Sequence, residues 1–322
     1  MIVKPRGVPI TIQKLQAILH RLPESHPSRP EIEQEYSRRK AGYKGELEID
    51  YFISLLPEED YLIFCAIRLP YGSNYFQIDT LLLSPQFALL IETKNLAGDL
   101  FFNPESNQLI KTVNGKEEIM PDPLLQVKRQ KYQFKRWLSQ VLPNNLPLEH
   151  IVANSNQTAK LRTIPGAESI FKEVMVGGNL LFRISEMEAI HKKKHLTPAQ
   201  LEKVKESLLN DHQPLIQDIL SQYSIKRQDI KTGVRCPKCN HIGMSWIGGV
   251  WNCSKCEHRS KTAHLNTIKD HVLLYNTPFK NSQIREFLNI PSVQTTYRFL
   301  SKANLPSTGQ NKHRTYHLEL TD

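Results

Sequence analysis

The sequence predicts an α/β fold, a sheet flanked by helices, followed by a small metal-bound ribbon and a small helical unit. Three observations carry this. Apolar, strand-like runs at 61–69, 75–83 and 87–94 lie between helical stretches at 31–56 and 123–142. Four of the five cysteines fall between Cys236 and Cys256. Short helices capped by serine follow near the end of the chain.

In chain order, residues 9–22 read as an amphipathic helix through Ile12, Leu15, Ile18, Leu19 and Leu22. Prolines from Pro23 to Pro30 break it, and a helix over 31–56 ends at Pro57. The three strands come next, then shorter ones at 99–102 and 108–113 with a turn at Asn114-Gly115. Pro123 opens a helix that reaches Leu142. Strands are expected at 150–154 and 174–176, and a helix over 198–221 capped by Thr197. The expected division is an N-terminal helical extension (1–36), a main domain (37–221), a polar linker (222–233), a ribbon (234–262) and a basic helical unit (264–322). A chain of 322 residues is long enough for two or three such bodies.

Composition excludes several classes. No apolar run approaches the ~20 residues needed to span a bilayer, and no apolar stretch follows the basic N-terminus as a signal peptide would require. A cytoplasmic protein without membrane partners is expected. Clustered cysteines argue for metal in a reducing compartment rather than a disulfide framework. Cys65, within an apolar run, reads as a small core residue. The net charge is +10. From Gln222 to Asp322, 15 Lys and Arg stand against 6 Asp and Glu, so almost all the excess is there. A basic segment beside a nearly neutral one fits a polyanionic partner, most simply nucleic acid, or a solvated surface.

Two apolar runs, Gln77 to Leu83 and Phe87 to Lys94, flank Ser84-Pro85-Gln86. This reads as a β-hairpin. If the turn centres on Pro85-Gln86, Asp79 lies opposite Glu92, with Cβ atoms about 4.5–5.5 Å apart. Two like charges so placed need compensation, which a divalent cation supplies. Lys94 projects from the same face as Glu92, where it could hold a water or a phosphate oxygen. Mg²⁺ (or Mn²⁺) with such ligands suits phosphodiester hydrolysis. The alternative is a solvated strand edge with a surface Glu–Lys pair.

Residues 41–142 resemble the nuclease-related domain of bacterial proteins, a branch of the PD-(D/E)XK nuclease superfamily. The resemblance rests on Gly42-Tyr-Lys-Gly45-Glu46, Gln77-Ile-Asp79, Ile91-Glu92-Thr-Lys94-Asn95 with Gly98, and Pro121-Asp-Pro-Leu-Leu-Gln126. It implies a restriction-endonuclease-like mixed sheet flanked by helices. It also implies Asp79 and Glu92 as metal ligands, Lys94 as catalytic lysine, Glu46 as an additional acid and Gln126 as a site-lining glutamine. Glu48 and Asp50 are alternatives to Glu46. Asp122 stands where the family has asparagine between two prolines. Lys128, Arg129, Lys131, Lys135 and Arg136 line the 123–142 helix, as a track for a nucleic acid backbone or as a solvated face.

Cys236-Pro-Lys-Cys239 and Cys253-Ser-Lys-Cys256 bracket Trp246-Ile-Gly-Gly-Val-Trp251. Two matched C-x-x-C pairs around a Gly-Gly turn describe a zinc ribbon with Zn²⁺ held by four thiolates. His241 and His258 are then surplus, and both tryptophans read as packing residues. Helices are expected at 265–275, from Ser282 to Leu288, and from Ser292 to Leu300 after a break at Asn289-Ile-Pro291. This is a helix-turn-helix pattern with a possible wing over 309–317. It would place Gln294, Thr295 and Arg298 toward a major groove and Lys302 on phosphate. The leading expectation is a metal-dependent nuclease acting on DNA. Its rivals are a nuclease-like DNA-binding or regulatory protein that no longer cuts, and a structural adaptor.

Overall fold

The computed structural model describes residues 1–143 and 145–321. Its elements are β1 (Ile2–Lys4), α1 (Ile10–Arg21), α2 (Arg29–Ile53), β2 (Leu62–Tyr71), β3 (Asn74–Leu83), β4 (Ala88–Lys94), β5 (Asp99–Asn103), β6 (Gln108–Val113), β7 (Lys116–Pro121) and α3 (Pro123–Val141). They continue with β8 (Leu148–Asn154), β9 (Lys160–Thr163), β10 (Val174–Val176), α4 (Leu180–Ile190), α5 (Pro198–Asp211), α6 (Ile219–Gln222), β11 (Ser245–Ile247), β12 (Val250–Asn252) and β13 (Arg259–Ser260). The last are α7 (Ala263–Tyr275), β14 (Phe279–Lys280), α8 (Asn281–Leu288), α9 (Val293–Lys302), β15 (Ser307–Thr308) and β16 (Thr315–Tyr316).

Contacts gather the chain into two compact units, Met1–Gly7 with Lys40–Pro214, and Val8–Arg39 with Leu215–Asp322. The division differs from that expected at the N-terminus, where residues 1–36 do not stand as one extension. Met1–Gly7 belongs to the first unit because β1 adds to its sheet, parallel to β2. The boundary falls inside α2.

The first unit is built on a six-stranded mixed sheet in the order β1-β2-β3-β4-β8-β10. β2, β3 and β4 are antiparallel neighbours, and β4, β8 and β10 run parallel. β4 reads Ala88-Leu-Leu-Ile-Glu92-Thr-Lys94 and is buried up to Thr93, as befits a strand covered on both faces. On one face Leu81, Leu83 and Leu90 pack with Val127, Phe134 and Trp137 of α3 and Val204 and Leu208 of α5. On the other, Leu82, Leu89 and Ile91 pack with Ile49 and Ile53 of α2 and Leu180 and Ile184 of α4. This is the mixed α/β architecture that the sequence predicts. The expected strands at 99–102 and 108–113 are part of a larger second sheet, β7-β6-β5-β9.

Two expectations need correction. The helix over 198–221 stops at Asp211, because Pro214 follows and cannot continue it; only Ile219–Gln222 resumes. Its start is as expected, with Thr197 and Gln200 forming a reciprocal capping box. The segment 222–233 is not a solvated linker, since Tyr223, Ile225 and Ile230 are buried.

In the second unit those three residues join Leu15 and Ile18 of α1, Ile32 of α2, Leu273 of α7 and Phe287 of α8 in one core. Arg21, fully buried, donates to Asp270, which Arg235 also grips through both carboxylate oxygens. Among the described residues, no helix is long and apolar enough to cross a membrane.

Candidate active site and zinc site

The hairpin register is the expected one: Thr80 pairs with Ile91 and Leu83 with Ala88. Continued by one step it sets Asp79 opposite Glu92, but the recorded ladder ends at Thr80. On the β2 side, Cys65 pairs with Thr80 and Ile67 with Ile78, leaving Ala66 and Asp79 out. Ala66 has a φ of 52°, a left-handed conformation uncommon for a residue with a Cβ. Both strands change face there. Ile78 and Leu81 share one core cluster, as do Phe64 and Ile67, although strict alternation would separate each pair. Asp79 thus sits where the sheet opens, and its Oδ2 accepts the Thr93 amide of β4 at 3.0 Å.

Glu92 is 2% exposed. Its Oε1 accepts from Lys94 Nζ at 2.6 Å and its Oε2 from Gln130 Nε2 at 2.8 Å. Lys94 Nζ also donates to Gln126 Oε1 at 3.0 Å. Gln126 and Gln130 are one helical turn apart on α3, so one face of that helix reaches both the lysine and the glutamate. Burial, with the nearby Asp79 charge, raises the Glu92 carboxyl to about 7, against the opposing pull of Lys94 and Gln130. Gln130 Oε1 is buried without a hydrogen-bond partner. Asp79, Gln126 and Gln130 line a cleft of about 410 Å³ with Gln77, Arg129, Gln133, Tyr75 and Phe76.

Glu46 lies on α2, and Arg6 holds it. The Arg6 side chain is 1% exposed and bonds Glu46 Oε2 at 2.5 Å, Asp50 through both carboxylate oxygens, the Asp79 carbonyl at 2.8 Å and Thr80 Oγ1 at 2.8 Å. Asp79's carbonyl, freed from the ladder with β2, is therefore satisfied by a guanidinium. Burial and the Asp79 charge raise Glu46 to about 7, with Arg6 opposing. Asp50, the alternative to Glu46, shares the same arginine. Glu48 is half-buried and pairs with Lys44 at 4.0 Å rather than with Arg6. Gly45 lets α2 come close: a Cβ there would meet Asn95 Cβ at 2.6 Å and Ser155 Oγ at 2.7 Å. Asp122 caps α3 by accepting the Leu124 amide at 2.8 Å. Cys65 is buried, as expected, and burial pushes its thiol up to about 11.

Sequence reasoning missed Arg6 and Gln130. Gln130 carried a signal, being four residues beyond Gln126 on a helix. Arg6 carried none, since its partners lie 40 to 74 residues away.

In the second unit, Cys236, Cys239, Cys253 and Cys256 bring their sulfurs within 4.8 Å of one another; among the described residues no other three metal-ligating side chains do so. Cys236 and Cys256 Sγ are 3.7 Å apart, Cys239 and Cys253 Sγ 3.6 Å. Four sulfurs about 2.3 Å from a central ion at tetrahedral angles stand about 3.8 Å apart. The two knuckles match. Asn240 and Glu257 donate to the Cys236 and Cys253 carbonyls, and the His241 and His258 carbonyls accept the amides of those cysteines. β11, β12 and β13 form the antiparallel ribbon. Trp251 is buried and donates to His264 Nδ1 at 3.1 Å; Trp246 packs edge-on against Phe299 of α9. Ribbon and helices share one core.

The helices α8 and α9 are joined by Asn289 in a left-handed cap and by Pro291. Ser292 caps α9, accepting from Thr295 at 3.2 Å. The expected Ser282 cap is corrected: α8 starts at Asn281 and Lys280 is its cap residue. Gln294, Arg298 and Lys302 are exposed on α9, as is Tyr297 at 48%, while Thr295 is half-buried. β14, β16 and β15 form a small antiparallel sheet over part of the expected wing.

The fold and site together define a mixed-sheet domain with an acid–acid–lysine group, followed by a four-cysteine ribbon. Residues 41–155 match the family model for NERD, the nuclease-related domain, over about a third of the chain. Comparison with curated proteins and with solved structures gave no match.

Two outcomes follow from the buried charges. Glu92 binds its proton more tightly in the folded chain (about 7) than at the ordinary carboxyl value, so stability falls as pH rises from about 4.5 to 7 and stays low above that. In EDTA, Glu92→Gln is therefore expected to raise the melting temperature relative to wild type more at pH 8 than at pH 5. An equal effect at both pH values refutes the assignment. For Arg6, Arg6→Ala strands two carboxylates and a carbonyl, which costs on the order of 3 kcal/mol. Arg6→Lys should recover only part of it, because an ammonium cannot span the forked set. Urea denaturation measures both, and a loss below about 1 kcal/mol for Arg6→Ala would mean the clasp is no stronger than a surface pair.

Proposed function

We propose that the protein is a divalent-metal-dependent nuclease that hydrolyses phosphodiester bonds in DNA, with a zinc ribbon and helix-turn-helix tail that bind the nucleic acid. The observation that carries this is the placing of Asp79 and Glu92 where the sheet opens, beside Lys94 and a polar cleft. The catalytic part is assigned to Met1–Gly7 with Lys40–Pro214, the ribbon to 234–262 and the helix-turn-helix body to 264–322.

The donors fit a hard cation. Two carboxylates suffice for Mg²⁺ or Mn²⁺, which keep waters and take substrate phosphate as further ligands. Glu92 is buried beside a like charge, and the orphaned Gln130 Oε1 adds an unused acceptor. When bound, the ion would polarise the phosphate and promote hydroxide formation. Asp79 and Glu92 would hold it. Lys94 spends two ammonium protons on Glu92 and Gln126 and keeps a third for a water or a phosphate oxygen. Gln126 fixes the Lys94 ammonium. Glu46 acts with Arg6 in orienting Asp79 rather than as a third ligand. Zn²⁺ in the cysteine quartet is structural, since four thiolates leave no open position. Gln294, Thr295, Arg298 and Lys302 face the nucleic acid, with Tyr297 beside them.

Asp79→Ala and Glu92→Ala are expected to abolish Mg²⁺- or Mn²⁺-dependent cleavage. Lys94→Ala should keep metal binding yet slow cleavage by at least about 100-fold, and the losses should not add. The assay compares single- and double-stranded DNA and RNA, with metal and with EDTA. A wild type that cuts none of them favours the non-cutting, DNA-binding reading; wild-type cleavage unchanged by the three substitutions moves the site elsewhere. Purified protein should carry about one zinc per chain, lost on Cys253→Ser. Zinc-free protein from careful handling would remove the ribbon assignment.

A further inference from the structure

α3 carries Lys128, Arg129, Lys131, Lys135 and Arg136 and no acidic residue. Its outward stripe runs from Leu125 through Lys128 and Arg129 to Tyr132, Lys135 and Arg136, all exposed. Lys128 is paired with Glu173 at 2.9 Å and Lys131 lies 3.3 Å from His150 Nδ1. Arg129 and Lys135 meet no carboxylate among the described residues. The stripe begins inside the candidate active site, since Arg129 and Gln126 line the Asp79 cleft. It then continues along the helix, away from the chemistry.

Tyr132 interrupts this charged stripe. Its ring is 56% exposed, and Arg136 Nη1 donates to its hydroxyl at 3.3 Å. Tyr75, 40% exposed, stands on the cleft wall with the Arg68 guanidinium 4.0 Å over its ring. An exposed aromatic ring set among cations offers a stacking face next to groups that bind phosphate. It suits unpaired bases, which stack on rings while their phosphates meet the cations. A duplex shields its base faces and would leave the ring unused. From Arg129 to Arg136 the helix rises about 10.5 Å.

We infer that the outward stripe of α3, with Arg129, Tyr132, Lys135 and Arg136, is a track for single-stranded nucleic acid leading into the Asp79 cleft. The inference rests on the nuclease reading for the purpose of the cleft, but the binding it describes requires no cleavage. Residues 129, 135 and 136 hold the backbone, and Tyr132 takes one base. The substrate this favours is an unpaired strand or a duplex end that has opened.

The test uses the full chain in EDTA, with a fluorescent oligothymidylate and a duplex of equal length as probes. Each variant is measured with the natural tail and with Arg298→Ala and Lys302→Ala, so that tail binding does not mask the stripe. Tyr132→Ala should weaken oligothymidylate binding about tenfold, the order one base–aromatic stack supplies, and leave duplex binding unchanged. Lys135→Gln with Arg136→Gln should lower the single-strand salt slope by about 1.4. Photocrosslinking of a bromouracil-containing strand should map to Tyr132. Unchanged oligothymidylate affinity in both backgrounds overturns the inference, and so does an equal loss on duplex. If the wild type cuts nothing with any metal while these binding changes occur, the nuclease reading fails and the track stands. If it cuts but the variants bind as wild type does, the reverse holds.

Discussion

The site depends on one buried guanidinium. Arg6 enters from β1 and does what a β-ladder would otherwise do at Asp79: it satisfies the carbonyl that the change of strand face leaves free. It also fastens α2 to β3 through Glu46, Asp50 and Thr80. Burial alone would lower its basicity, but the bond to Asp50 and the charges of Glu46 and Asp50 raise it instead, so the ion stays charged. Without it, three acids would share a partly dry pocket with no cation of their own, an arrangement costly in low dielectric. The strained Ala66, the opened ladder and the close approach at Gly45 are all tolerated because this clasp fixes both sides. Arg6 lies outside the segment that matches the nuclease-related family model. The site as folded therefore needs more chain than that domain supplies.

The second unit shows the same economy by different means. A ribbon of three very short strands buries too little apolar surface to stand alone, which is why such modules rely on metal. Here the ribbon packs on its neighbours. Trp251 and Trp246 close onto Phe299, and His264 stacks on Phe299 at 4.1 Å while accepting from Trp251. Burial pushes His264 down to about 4, so it stays neutral and able to accept. Arg235, next to Cys236, bonds both Asn240 of the knuckle and Asp270 of α7. Ribbon and helices form one body, and the exposed face of α9 is held by the packing beneath the ribbon.

Much of this was legible because local rules acted alone. A two-residue register sum placed Asp79 against Glu92, and the ladder follows it residue for residue up to Thr80. Thr197 and Ser292 announced their helices through side-chain oxygens. What the sequence hid was non-local. Arg6 stands in a Lys-Pro-Arg-Gly run with no periodicity, and its meaning exists only once strands far along the chain arrive. The segment 222–233 is polar in composition, yet three apolar residues within it are enough to bury it. Ala66 looks like any strand alanine, and its left-handed backbone follows from the opening at Asp79 rather than from its own preference.

The charge distribution illustrates the same limit. Summed over the first 221 residues, charges nearly cancel, and that sum directs attention to the basic tail. Electrostatic attraction is not felt as a sum, however. Salt screens exposed charges over about 8–10 Å, so a strand meeting α3 senses the helix and its immediate neighbours. Along that helix five cations stand without an acidic residue beside them in sequence, and among the described residues only Lys128 of the five is held by a carboxylate. The acids that balance the total lie elsewhere or face inward, as Glu92 does toward Lys94 and Gln130. A nearly neutral unit can thus present a strongly basic edge beside an acidic centre. Under the nuclease reading proposed above, that polarity would let the cations draw a strand toward carboxylates that by themselves repel it.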